Sequence, residues 1–165
     1  MQRDKAIFRE EPMLYYLISI FLIVIDQLVK WWVRAAIPLG TSIPFLPHLM
    51  DLTYVQNTGA AFSSFSGMTW LLALVSLLAT VAIALLLRRD FFPGPLGRFT
   101  LSLLLAGAAG NLIDRVFLGF VTDMFQTTFM DFAVFNVADI CVVVGGILMV
   151  AYVLLFWDRD KEGER

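Results

Sequence analysis

Four apolar stretches, each long enough to match a lipid bilayer, limit what this 165-residue chain can become. A helix needs about 20 mainly apolar residues to cross a hydrocarbon core of roughly 30 Å. Residues 14–33, 68–87, 99–118 and 137–157 each supply that length. The second, MTWLLALVSLLATVAIALLL, carries no charge at all. Only 16% of the chain is charged and 59% is hydrophobic, against about 25% and roughly 45–50% in soluble domains. So little polar surface cannot cover a soluble globule. Disorder, a basic nucleic-acid-binding face and an ordinary soluble domain are thereby excluded. The single cysteine, Cys141, excludes an intramolecular disulfide and a cysteine-cluster metal site, and the single histidine, His48, excludes a two-histidine zinc protease motif.

The basic residues orient the spans. Nine of the twelve Lys/Arg fall in three clusters: Arg3, Lys5 and Arg9; Arg88, Arg89 and Arg98; Arg159, Lys161 and Arg165. The 35–67 loop and the 116–136 stretch hold none. Basic loops stay in the cytoplasm, so both termini are expected inside and the two larger loops outside. The first span continues into Asp26-Gln27-Leu28-Val29-Lys30 without a small-residue cleavage site and reads as a permanent anchor. In the outer loop, Met50-Asp51-Leu52-Thr53-Tyr54-Val55 has the alternation of a short strand. Ile43, Phe45, Leu46, Phe62 and Phe65 give that loop an apolar surface suited to lipid headgroups. The expectation is a single membrane domain over residues 1–165: an all-α polytopic membrane protein of four transmembrane helices, with short strands on its outer side.

Ionisable groups within a span cost about 2.5–3.5 kcal/mol each at the bilayer centre and need a reason to be there. Here they are Asp26, Lys30, Asp114, Arg115 and Asp139, with Asp123 just past the third span. All lie toward the outer ends of their spans, so separate parts of the chain supply one layer. Asp26 and Lys30, four apart, share a helix face. They form either a structural ion pair whose lysine reaches the outer headgroups, or part of a substrate site. Asn111 and Asp114 share a face with Gly107, and the run Ala106-Gly107-Ala108-Ala109-Gly110 favours close helix packing. Asp114-Arg115 reads as a salt bridge anchoring the helix end or as support for a site. Asn136 and Asp139 suit a helix cap, but capping does not explain why Asp123 arrives at the same depth.

Asp123 and Asp139 stand on opposite sides of the turn back into the membrane. Two carboxyls held close share a proton, so one can deprotonate a water while the other donates to a carbonyl or a leaving amine. Cys141 suits a small core residue, and His48 and Asp131 suit solvated loops. Spacing alone leaves three readings open: a carboxylate protease, a proton-linked transporter, or a non-catalytic assembly factor with a buried polar cluster. The inner halves of the spans, which read as apolar, count against a transport path.

At these residues the chain resembles the lipoprotein signal peptidases, the bacterial signal peptidases II, over about residues 14–157. The motifs are Asp26-Gln27-Leu28-Val29-Lys30; Gln56-Asn57-Thr58-Gly59-Ala60-Ala61-Phe62; Gly107-Ala108-Ala109-Gly110-Asn111-Leu112-Ile113-Asp114-Arg115; Val121-Thr122-Asp123-Met124; and Phe135-Asn136-Val137-Ala138-Asp139. Each is a weak signal alone; all of them in order are a specific one. The resemblance implies an intramembrane aspartyl endopeptidase of the bacterial cytoplasmic (inner) membrane. It would cut prolipoproteins just before a diacylglyceryl-bearing cysteine, at the outer face. It maps the catalytic pair onto Asp123 and Asp139. Supporting or binding roles map onto Asp26, Lys30, Asn57, Gly107, Asn111, Asp114, Arg115, Asn136 and Ala138. It also implies a small β-rich extracytoplasmic platform between spans 1 and 2, and a short outer helix or flap before the fourth. No cofactor or metal is called for, because water and two carboxyls supply the chemistry. The implied partners are the lipidated precursor, membrane lipids and the family's cyclic peptide inhibitors, with no nucleic acid, and the chain is expected to be a monomer. The stretch before the last motif, Phe129-Met130-Asp131-Phe132-Ala133-Val134-Phe135, has no Trp where relatives often have one, and residues 1–12 have no family counterpart.

Overall fold

The computed structural model of the chain describes residues 12–59 and 67–157. Its long helices lie on the apolar stretches: α1 (Pro12–Ala36), α2 (Thr69–Arg88), α3 (Gly94–Phe117) and α4 (Val137–Leu155). All four are long and apolar enough to cross a membrane. The helix α3 is the central one and packs against α1, α2 and α4. That position explains its polar content: Thr100, Ser102, Asn111 and Asp114 are buried against protein. In contrast α2 buries only Leu87 and leaves Trp70, Leu74, Leu78 and Val81 exposed, a surface that suits lipid rather than water.

The strands β1 (Ser42–Leu46) and β2 (Met50–Asn57) lie between α1 and α2, and β3 (Val121–Thr127) comes from the α3–α4 connection. They form one antiparallel sheet in the order β1-β2-β3. The platform expected between the first two spans is therefore present, but the α3–α4 connection completes it. Asn57 lies opposite Val121, Val55 opposite Asp123 and Leu52 opposite Phe125. Between Leu52 and Val55, β2 thus carries one extra residue, a bulge that breaks the usual alternation and buries Leu52, Thr53 and Tyr54 in succession. Val33 and Ile37 near the end of α1 pack on Leu52, Tyr54 and Met124. This contact seats β3 on one end of the bundle.

Several expectations need correction. Of the short helix or flap expected before the fourth span, the helix is absent: residues 128–136 run back along β3, where Phe135 bridges to Phe125. The halves of the spans away from the sheet, expected to be apolar, are not wholly so. Ser19 Oγ donates to the Tyr15 and Ser102 carbonyls, Thr100 Oγ1 to the Gly97 carbonyl and Tyr152 Oη to the Pro93 carbonyl. These hydroxyls are spent on backbone carbonyls within and between helices, which gives packing rather than a polar path. Arg98, counted with the basic flank, is buried and gripped by both oxygens of Asp90 at 2.7 and 2.6 Å. In the outer loop Ile43, Phe45 and Leu46 are exposed as expected. Phe62 and Phe65, and the terminal basic clusters Arg3, Lys5, Arg9, Arg159, Lys161 and Arg165, lie outside the described residues.

Close approach of α3 and α4 depends on Gly107. A Cβ there would stand 2.5 Å from both the Ala138 carbonyl oxygen and Val142 Cγ2, whereas one at Gly146 would meet nothing within 4 Å. Gly107→Ala should therefore destabilise the protein by about 1–3 kcal/mol. Gly146→Ala should be neutral or stabilise by about 0.5–1 kcal/mol through helix propensity. Thermal melting of the two variants in detergent checks the contrast; equal melting points would overturn it.

Candidate active site

The polar layer is built outward from a lysine. Lys30 on α1 is fully buried, with its Nζ 2.9 Å from Asp26 Oδ2 and 3.6 Å from Asp114 Oδ2. It also donates to Asn111 Oδ1 at 2.9 Å. The lysine does not reach toward the headgroups, as one sequence reading had it; the carboxylates turn it inward, because a buried ammonium must be paired. Asp26 Oδ1 accepts the backbone N–H of Ala138 at 2.9 Å and so ties α1 to the start of α4. Gly110 leaves room for this, since a Cβ there would come 2.8 Å from Asp26 Oδ2. Asp114 pairs with Lys30 rather than with its neighbour Arg115, and its Oδ2 accepts the Thr122 N–H at 2.8 Å, which pins β3 to α3.

On this base sit the two carboxyls that the sequence singles out. Asn136 caps α4 through a capping box: its Oδ1 accepts the Asp139 N–H at 2.9 Å, and Asp139 Oδ2 accepts the Asn136 N–H at 3.1 Å. Asn136 Nδ2 then donates to Asp123 Oδ1 at 2.7 Å and to Asn111 Oδ1 at 3.1 Å. Asn111 Nδ2 donates to Asp139 Oδ1 at 2.8 Å, and Asn57 Nδ2 on β2 donates to Asp123 Oδ2 at 2.9 Å. Asp123 and Asp139 thus approach from a strand and a helix, and Asn136 touches both. They line an open cleft of about 420 Å³ together with Asn57, Asn111 and Arg115. Its remaining wall is apolar, from Val121, Phe132 to Phe135, Ile140 and Val142 to Val144.

Arg115 faces this cleft, and among the described residues its contacts are long: Ser76 Oγ on α2 at 3.3 Å and the Gly59 carbonyl at 3.4 Å. Its Nε is buried and makes no hydrogen bond. Its guanidinium lines the cleft within the field of Asp114, Asp123 and Asp139. Asp123 lies on β3, and its pKa is raised from 3.8 to about 6. Burial is the main cause and the Asp139 charge adds to it, while the amides of Asn57 and Asn136 and the Lys30 charge pull the other way. Among the described residues no group of three or more His, Cys, Asp or Glu could hold a metal ion.

The structure brings Asp26, Lys30, Asn57, Asn111, Asp114, Asp123, Asn136, Ala138 and Asp139 into one hydrogen-bonded network, with Arg115 at its edge. Gly107 stands apart as the α3–α4 packing point. Cys141 is buried outside the cleft lining, and His48 and Asp131 are exposed. Of the outer-loop motif, Ala60, Ala61 and Phe62 lie outside the described residues. Sequence reasoning gave no role to Gln27, whose Nε2 lies 3.0 Å from Asp26 Oδ2, 3.1 Å from the Gly110 carbonyl and 3.3 Å from Asp114 Oδ1. It also passed over Thr122, buried beside Asp123 and held by Arg34 Nη1 at 2.9 Å. Gln27 had a signal, its place between Asp26 and Lys30 in one motif. Thr122 meets Arg34 through its hydroxyl, but its link to Asp114 runs through the backbone N–H and leaves no trace in residue type.

Comparison with known proteins converges on one family. A family model described as signal peptidase (SPase) II matches residues 18–155. The lipoprotein signal peptidase of Lactococcus lactis subsp. cremoris is 44% identical over 155 residues, covering 88% of this chain and 98% of the relative. That of Enterococcus faecalis is 41% identical over 150 residues, covering 91% and 93%. A solved bacterial membrane enzyme superposes with a TM-score of 0.77 at 30% identity, covering 92% of this chain and 91% of the other.

The raised pKa of Asp123 has a consequence for stability. Between about pH 4 and 6 the folded carboxyl keeps a proton that the unfolded chain has lost, so this group weakens folding as pH rises through that window. Asp123→Asn removes the effect. Relative to the parent, the variant should gain stability between pH 4 and 7, by up to about 3 kcal/mol. Denaturation in detergent at several pH values checks this, and a difference independent of pH would overturn it.

Proposed function

The chain belongs to the signal peptidase II family, and from that premise we propose that it cleaves the signal peptide from diacylglyceryl-modified prolipoproteins by means of the Asp123–Asp139 pair. The observation that carries this reading is the placing of both carboxyls on one cleft, linked through Asn136. The family is a protease family, and the four bilayer-length helices fit an enzyme of the bacterial inner membrane.

Burial and the neighbouring charge of Asp139 favour a proton on Asp123. Asp139, the more open of the two to the cleft, is then the base. It takes a proton from a water, and the hydroxide oxygen bonds to the carbonyl carbon before the lipidated cysteine. Arg115, a cation lining the cleft, steadies the charge that collects on the carbonyl oxygen. Asp123 gives its proton to the leaving nitrogen as the C–N bond breaks and the C=O bond re-forms. Asp139 now carries the proton that Asp123 has lost, and its return to Asp123 restores the starting pair. The reading assigns the sheet end of the bundle to the outer face, since the basic 88–98 turn marks the inner one. A signal peptide spanning the bilayer with its basic end inside then presents its cleavage site at the depth of the dyad. The apolar wall of the cleft faces the bilayer side, where acyl chains on the substrate cysteine need not leave lipid.

Asp123→Asn or Asp139→Asn should lower cleavage of a diacylglyceryl-modified precursor peptide by about a thousandfold or more, while the protein still inserts and melts cooperatively. Near-normal turnover by either purified variant would sink the assignment. In the parent enzyme kcat/KM should fall as pH rises above about 6, as Asp123 loses the proton it must donate. A profile that climbs from pH 6 to 8 would reverse the two roles. Flux across proteoliposomes with no peptide cleavage would favour a transporter instead.

A further inference from the structure

Lys30 does not line the cleft, yet it makes one contact that an ion pair does not require. Pairing with Asp26 at 2.9 Å would be enough to neutralise it. Its Nζ also donates to Asn111 Oδ1 at 2.9 Å. An ammonium has three donors and no acceptor, so it accepts only one face of the Asn111 amide. With Oδ1 toward Lys30, Nδ2 must point the other way, and there it donates to Asp139 Oδ1 at 2.8 Å. The flipped amide would set Nδ2 against the ammonium and Oδ1 against the Asp139 carboxylate, repulsive at both ends.

The same oxygen fixes a second amide. Asn136 Oδ1 is committed to the Asp139 N–H at the cap of α4, which turns its Nδ2 toward Asn111 Oδ1 at 3.1 Å and Asp123 Oδ1 at 2.7 Å. Asn111 Oδ1 therefore receives donors from α1 and from the cap of α4, while the two amide nitrogens serve one catalytic carboxyl each. We propose that Lys30 is a positioning residue for hydrolysis: its ammonium selects the orientation of the Asn111 amide and, through it, the hydrogen bonds that Asp139 and Asp123 receive. The proposal rests on the reading of Asp123 and Asp139 as the hydrolytic pair and adds to it a cause for their geometry. A purely structural lysine would show its loss in stability, whereas a positioning lysine shows it in kcat through Asn111.

A mutant cycle in an Asp26→Asn background tests this, because replacing both members of a buried ion pair by neutral residues of similar shape is tolerated far better than removing one. In that background Lys30→Met should lower kcat by about tenfold or more with KM changed by less than about twofold, since substrate does not touch Lys30. Asn111→Ala should also lower kcat. The two together should lose no more than about twofold beyond Asn111→Ala alone, because Lys30 acts through the group already removed. Losses that multiply, or a Lys30→Met enzyme within about twofold of its background, would overturn the proposal. A second variant does not depend on that background. Asn111→Asp keeps an oxygen toward Lys30 but sets a second oxygen against Asp139 in place of the N–H, so it should lose about tenfold or more in kcat even under conditions where melting shows the protein folded. Asn111→Asp activity within about twofold of the parent would also overturn it. Parallel assays of Asp123→Asn and Asp139→Asn separate the two layers of inference. If those remain active, the hydrolytic reading fails; if they are dead while the Lys30 and Asn111 losses multiply, only the positioning role fails.

Discussion

A fully buried ammonium is the constraint from which the sheet-bearing half of this protein follows. A charge taken out of water costs several kcal/mol unless it is paired and hydrogen-bonded, and Lys30 has no exposed surface through which to escape. It needs Asp26 one turn away on its own helix, and Asp114 and Asn111 on α3. Those partners are reachable only if α1 and α3 nearly touch, which is why Gly110 stands opposite Asp26. Each acid then has lone pairs left over, and they are filled from further away: Ala138 at the start of α4 and Thr122 on β3. Satisfying one cation thus fixes the relative positions of α1, α3, α4 and β3.

The sheet does the complementary work from outside the helices. Its strands come from two loops far apart in sequence, and the antiparallel register puts Asn57 and Asp123 near each other on adjacent strands. Asn57 is itself oriented by the Gly59 N–H, which donates to its Oδ1 at 2.9 Å and leaves Nδ2 for Asp123. The apolar contact of Leu52, Tyr54 and Met124 with Val33 and Ile37 holds the sheet on α1. One carboxyl is therefore presented by a strand above the bundle and the other by the first turn of a helix within it. Neither element alone could bring both to one cleft.

How much of this could be read from residues alone depends on the range of the interaction. The four helices rest on local hydrophobic runs, and the Asp26–Lys30 pair and the Asn136 cap rest on spacings of four and three along one helix, so all were legible. The strand β2 showed itself by alternation, but β1 is exposed along its whole length and has no buried face to betray it. The strand β3 was read as mere connection, because its identity as a strand comes from β2, more than sixty residues earlier in the chain. The direction of the Lys30 side chain was open for the same reason: outward to headgroups and inward to Asn111 are equally compatible with the sequence of α1. The family resemblance supplied residues for the site, whereas the connections among them, and the parts of Gln27, Thr122 and Ser76, required three dimensions.

The charges of the layer bear on its chemistry as a group. Lys30 and Arg115 face Asp26, Asp114, Asp123 and Asp139, with Arg34 at the rim beside Thr122. Acids outnumber the enclosed cations, and surplus negative charge is costly where the dielectric is low. Asp26 and Asp114 are committed to the lysine, so the deficit falls on the pair that faces the cleft. A proton is the cheapest remedy, and Asp123, outside the spans yet buried, has its pKa raised to about 6. Burial is the main cause of that shift, and the shortage of positive charge in the layer, felt through Asp139, adds to it. Lys30 limits that shortage and, by fixing Asn111, also directs where the remaining carboxylate charge is steadied.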